Sequence, residues 1–130
     1  MINHIMIGSN DIERSKAFYT KVLGVLGAGE PMAHVNDTGQ TRLFYMHDGD
    51  TFSISEPING EPANTANGFT IGFKCDSLDQ VKELHDVAVA NGGATCEDPP
   101  GPREGSMGVM NLCYFTDPDG HKICGIHRPG

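Results

Sequence analysis

The sequence predicts an α+β fold built from two similar βαβββ modules. A strand-like segment, a polar turn, an amphipathic helix and a glycine follow one another over residues 2–24, and the same succession recurs over residues 69–93. Short strand candidates separated by hairpin turns follow each helix. Because one module leaves a sheet face uncovered, the duplication predicts two pseudo-symmetric modules that form a cupped sheet with helices outside.

Module one is expected to cover approximately residues 1–57. Residues 2–7 form an apolar run of strand length, and the turn that follows can cap a helix at Asp11. The apolar face of residues 11–23 indicates that helix, and Gly24 is expected to end it. Three further strands are predicted at residues 32–36, 41–47 and 51–55.

Module two is expected to cover residues 69–130, after a linker at residues 58–68 that is rich in Pro, Gly and Asn. Residues 69–75 alternate as a half-buried strand does. Ser77 and Gln80 have the spacing of a capping box, so a helix begins there and ends at the glycines that start with Gly92. Strands are predicted at residues 94–97, 107–116 and 122–127, and residues 98–105 are read as a mobile flap or a plain surface loop.

Length and charge narrow the classes of function. A chain of 130 residues fits one domain, and 17 acidic against nine basic residues give a net charge of −8, which argues against nucleic acid as a partner. We see no signal peptide and no membrane-spanning stretch, so we expect a cytoplasmic protein. The four cysteines lack close pairs and are expected to be buried thiols, with one exception discussed below.

Three motifs carry a resemblance to a known family. They are His4-Ile5-Met6 before the first helix, the letters FYTKVLG at residues 18–24, and DPDGHKI at residues 117–123. Together they resemble the vicinal oxygen chelate superfamily of glyoxalases, bleomycin resistance proteins and dioxygenases, over nearly the whole chain. The resemblance implies this fold, a small-molecule ligand in a central cavity and a homodimer.

The resemblance also implies a metal site that can be compared residue by residue. Metal-dependent members hold a divalent ion, such as zinc, nickel, manganese or iron, on histidines and glutamates from the first and last strand of each module. His4 matches one of these positions, whereas Thr70, Ser53 and Cys124 stand where the other ligands are expected. A Cys124 thiolate suits zinc, but hydroxyls are poor ligands, so the expectation favours no metal.

The candidate site residues follow from the same comparison. His4 and Cys124 are the candidate catalytic residues and the candidate metal ligands, although a structural histidine and a packed thiol remain alternatives. The candidate substrate-binding residues, each of which has an ordinary core or surface role as its alternative, are Met6, Thr70, Lys74, Arg103 and Tyr114.

The predicted function is to bind or act on a small molecule in the central cavity, without the site of a standard glyoxalase I. The alternatives are a protein that sequesters a drug or metabolite, an atypical metal-dependent lyase or dioxygenase, a thiol transferase, and a regulatory module with a vestigial cavity. The substrate, and whether the cavity lies within one chain or across a dimer, stay open.

Overall fold

The computed structural model describes residues 1–129 and contains two helices and nine strands. The α+β class and the two-module fold are confirmed, and module two carries one strand more than the βαβββ pattern. Module one consists of β1 Ile5–Gly8, α1 Ile12–Val25, β2 Met32–Val35, β3 Thr41–His47 and β4 Asp50–Ser55. Module two consists of β5 Ile71–Lys74, α2 Leu78–Ala90, β6 Ala94–Thr95, β7 Gly101–Gly105, β8 Gly108–Thr116 and β9 Lys122–His127.

Both helices begin at the predicted caps, but α1 ends later than predicted. The Asp11 carboxylate accepts a hydrogen bond from the backbone of Arg14, which satisfies one of the free donors of the first turn. The expectation that Gly24 ends α1 is wrong. The helix continues to Val25, and Gly27 supplies the left-handed residue with φ of 98°. No helix in residues 1–129 is long and apolar enough to cross a membrane.

Each module forms its own mixed sheet. Sheet A has the order β1-β4-β3-β2, and sheet B has the order β5-β9-β8-β6, with β7 pairing with β8. In both sheets the first and last strands of the module are parallel neighbours. The prediction of a loop over residues 98–105 is wrong in its second half, because Gly101–Gly105 pairs antiparallel with β8.

One hydrophobic core joins the helices to one face of each sheet. Phe18 of α1 lies edge-on to Phe115 of β8, with ring centroids 6.2 Å apart, so α1 reaches the sheet of the other module. The rings of Phe52 in β4 and Phe73 in β5 are also packed edge to face, with centroids 5.3 Å apart. Burial of these large rings, each about 2 kcal/mol or more, holds the two modules together.

The turn between β8 and β9 also links the modules. The Tyr19 hydroxyl donates to the Asp117 carboxylate at 2.5 Å, and Asp119 accepts from the Arg14 guanidinium at 2.9 Å. His121 donates through Nε2 to the Gly8 carbonyl at 2.7 Å. His121 is 4% exposed, so this bond between the modules is buried.

Candidate functional site

The face of each sheet opposite the helices carries a row of side chains in register. In sheet A the row, here called row one, runs across the strands as Met6, Ser53, Phe44 and Met32. In sheet B the equivalent row two contains Gly72, Cys124 and Tyr114. Because the first, last and third strands pair in the same register in both modules, Ser53 and Cys124 occupy equivalent positions. This confirms the equivalence of the two residues that the duplicated sequence pattern predicted.

Row one combines flexible apolar side chains with one unsatisfied hydroxyl. Met6 and Met32 are 37% and 56% exposed, whereas Ser53 is fully buried between its neighbours. The Ser53 Oγ makes no hydrogen bond within residues 1–129. A buried hydroxyl without a partner costs free energy, so this position favours a ligand that supplies one.

Row two is centred on the Cys124 thiol. Cys124 is 5% exposed, and its Sγ donates weakly to the Gly125 carbonyl at 3.5 Å. Burial raises the pKa of this thiol, and a hydrogen bond with Tyr114 opposes the rise. The thiol is therefore neutral near pH 7, which disfavours it as a nucleophile.

A cation lies beside row two that the sequence reasoning missed. The Lys122 ammonium lies 4.8 Å from the centroid of the Tyr114 ring and is paired with the Glu97 carboxylate. Strand alternation already indicated Lys122, because it lies two residues before Cys124 on the same face. The pairing with Glu97 joins distant segments and had no local signal.

His4 and Thr70 hold equivalent positions, each one residue before the first strand of its module. Both are exposed; His4 bonds to its neighbour Asn3, and the Thr70 hydroxyl donates to the carbonyl of Phe69. Within residues 1–129, no three His, Cys, Asp or Glu side chains are grouped so that they could hold a metal ion. With serine, threonine and a single cysteine at the remaining positions, the residues present do not fit the divalent metal that the resemblance implies.

The other two predicted ligand-binding residues lie away from the rows' centres. Both terminal nitrogens of Arg103 donate to carbonyls of its own loop, those of Asp98, Pro99 and Gly101 among them. Lys74 lies at the end of β5, where it lines a cleft between the modules. Of the seven predicted site residues, the structure thus brings Met6, Cys124 and Tyr114 into the rows. The roles assigned to all seven remain predictions.

Comparison with known proteins agrees with this architecture. Residues 1–124 match the family model of the Glyoxalase/Bleomycin resistance protein/Dioxygenase superfamily. The crystal structure of a glyoxalase/bleomycin resistance protein from Albidiferax ferrireducens T118 is 48% identical, with a TM-score of 0.90 over 98% of this chain and 99% of that one.

Two more distant relatives show how far the likeness extends. A probable lactoylglutathione lyase from Vibrio cholerae is 27% identical over 94% of this chain and 86% of its own length. A glyoxalase-related enzyme from Fulvimarina pelagi is 21% identical, with a TM-score of 0.72 over 99% of this chain and 88% of that one, and shares the fold. The chain therefore belongs to the Glyoxalase/Bleomycin resistance protein/Dioxygenase superfamily.

Proposed function

We propose that this protein binds a small organic molecule on the open sheet faces and does so without a metal ion. The observation that carries the proposal is the composition of the two rows. Ser53 and Cys124 present a hydroxyl and a neutral thiol where the resemblance implies metal ligands. Around them lie methionine and aromatic side chains, which suit contact with an apolar or aromatic ligand.

The same rows supply a few polar groups that would orient a ligand. The Ser53 hydroxyl lacks a partner, and Lys122 and Tyr114 offer donors at the edge of row two. Such a surface binds and positions a molecule. An acid–base or nucleophilic reaction needs in addition a group with a suitable pKa beside the reacting atom, and the pKa of the Cys124 thiol is raised.

We also propose that the protein is a homodimer. Sheet A exposes large apolar side chains on its open face and edge: Met32 is 56%, Met46 58% and Val35 59% exposed. The edge strand β2 leaves backbone donors and acceptors available for another strand. A second copy that pairs along β2 would remove the apolar surface at this edge from water and leave the rest of row one accessible, and light scattering across a concentration series measures the mass directly.

The function is tested by binding with and without chelator. Thermal shift is measured with bleomycin and with S-methylglutathione, for the wild-type protein and for Phe44→Ala in row one. We expect a shift with at least one probe that persists in EDTA and is lost in Phe44→Ala. The matched control Val89→Ala, which truncates a residue 43% exposed on α2, should keep the shift.

A second assay tests the metal-dependent alternative. Lactoylglutathione lyase activity is assayed with added zinc, nickel, manganese or iron. Turnover that requires one of these ions and disappears in His4→Ala would overturn metal-free binding and restore the metal-dependent alternative. Absence of a shift with both probes, together with absence of turnover, would favour the regulatory-module alternative.

A further inference from the structure

A cleft separate from the open sheet faces lies between the two modules. It is bounded by the end of α1, the hairpin between β3 and β4, the end of β5 and the start of α2, and its volume is about 320 Å³. This volume is at the lower end of the range for small-molecule sites. Because the walls come from both modules, the cleft is complete within one chain.

The floor of the cleft is made of aromatic rings. Phe52 lies between Tyr45 and Phe73, with ring centroids 6.5 Å and 5.3 Å away. The Tyr45 hydroxyl is already bonded to Thr20 at 2.8 Å, so Tyr45 contributes its ring to the floor and its hydroxyl to α1. Leu23 adds an aliphatic surface. Such a floor suits a planar apolar group.

The walls are held in place before any ligand arrives. The Gln80 side chain donates to the Val25 carbonyl at 3.1 Å and accepts from the Asp76 backbone at 2.7 Å, which joins the start of α2 to the end of α1. The His47 ring lies against Gly27, 3.4 Å from where a Cβ would stand. A preformed cleft reduces the entropy that a ligand must overcome on binding.

The rim of the cleft is acidic. Asp48, Asp50 and Asp76 line it, against a single ammonium from Lys74. Across residues 1–129, neither Asp50 nor Asp76 has a side-chain ion pair or hydrogen bond. Aromatic rings also attract cations placed over their faces.

We propose that this cleft binds a small organic cation with an aromatic body. The ammonium lies at the rim, between the Asp50 and Asp76 carboxylates, and the apolar body lies on the rings of Phe52 and Phe73. The net charge of −8 on the whole chain favours the approach of such a ligand. This site is independent of the metal-free binding proposed for the open faces.

Benzylamine, benzyl alcohol and benzoate are matched probes that differ in charge, and calorimetry measures their binding. We expect benzylamine to bind most tightly, and added salt to weaken it. Asp50→Asn and Asp76→Asn should each weaken benzylamine by up to about fivefold, the upper limit for an exposed ion pair. Asp37→Asn, an exposed carboxylate in the turn before β3, is the control that should leave binding unchanged.

A second pair of variants separates the cleft from the open faces. Phe73→Leu in the floor should weaken benzylamine, whereas Phe44→Ala in row one should not. Equal binding of benzyl alcohol or benzoate would overturn the proposal, as would unchanged affinity in both aspartate variants. Loss of benzylamine binding in Phe44→Ala alone would assign the cation to the open face instead.

Discussion

The two modules agree on one face of their sheets and differ on the other. On the helix side, equivalent positions carry different apolar residues with one exception, as Tyr45 and Phe115 or Ile7 and Phe73 illustrate. On the open side, Cys124 is the module-two equivalent of Ser53, and Gly72 is the equivalent of Met6. The helix side is constrained by close packing, which tolerates only apolar residues of fitting volume. On the open face the equivalent residues differ in chemical type, a hydroxyl at Ser53 and a thiol at Cys124.

The strongest test of the shared helix side is Ile54→Ala. Ile54 is fully buried at the centre of sheet A, and its removal leaves a cavity, so we expect a loss of about 4 kcal/mol in the free energy of unfolding. Chemical denaturation measures it. If this variant does not fold, Ile54→Val should fold with a loss of about 1 kcal/mol. A loss of less than about 1 kcal/mol in Ile54→Ala would contradict tight packing of the core at this position.

The hairpin turns between the last two strands differ in burial, which a second substitution exploits. The Asp119 side chain is 3% exposed and accepts from Arg14, Ser15 and the backbone of Asn10. In module one, Asp48 lies in the corresponding turn with its side chain 89% exposed. We expect Asp119→Ala to cost about 2 kcal/mol, because it removes three hydrogen bonds to a carboxylate that link the two modules.

The matched control for this comparison is Asp48→Ala, which should change stability by less than about 0.5 kcal/mol. Equal effects of the two substitutions in urea titrations would show that the β8–β9 turn does not hold the modules together. The single variant Arg14→Ala should lose less stability than Asp119→Ala, since Arg14 is half exposed and supplies only one of the three donors.

One helix-side position breaks the apolar pattern. Gly125 in module two is equivalent to Ile54, and a Cβ there would lie 2.8 Å from both the Cys113 Sγ and the Leu84 Cδ2. Module two thus has no space between α2 and its sheet at this point. We expect Gly125→Ala to cost about 2 kcal/mol by overpacking. The double variant with Cys113→Ala should recover part of that loss in thermal unfolding; purely additive losses would refute the steric cause.

Much of the fold was predictable because its signals are local. Hairpin turns and alternation gave β3 at residues 41–47 and β9 at residues 122–127 with the observed bounds. The missed strand β7 contains Gly101 and Pro102 and has no alternation. It is a strand because β8 provides a partner, and tertiary pairing of this kind overrides local propensity.

The site was predictable only where strand register determines it. The equivalence of Ser53 with Cys124 followed from the duplicated pattern, and strand pairing confirms it. The contact of His121 with the Gly8 carbonyl, and the cleft between the modules, depend on how the modules pack against each other. No periodicity within one segment carries that information. The bonds of Arg103 are local, but they accompany the strand β7, which the sequence did not indicate.

The smallest expected effect concerns the reactivity of the thiols in row two and the core. Only the thiolate reacts with iodoacetamide, and burial raises the pKa of Cys75 to about 11 and that of Cys113 to about 12. Burial also raises the pKa of Cys124 and of the more accessible Cys96. At pH 8 we expect Cys96 to react first and Cys124 more slowly, with the other two unmodified in the folded protein.

The raised thiol pKa values also make the stability of the folded protein depend on pH. Between the ordinary thiol pKa and the raised values, the folded protein holds protons that the unfolded chain has lost, so stability falls as pH rises through this window. Because only the thiolate reacts, peptide mass spectrometry across pH 7–10 should show Cys124 alkylation rising mainly at the upper end of this range. Modification of Cys124 at pH 7 as fast as that of Cys96 would reveal a thiolate, which would return this residue to the role of nucleophile.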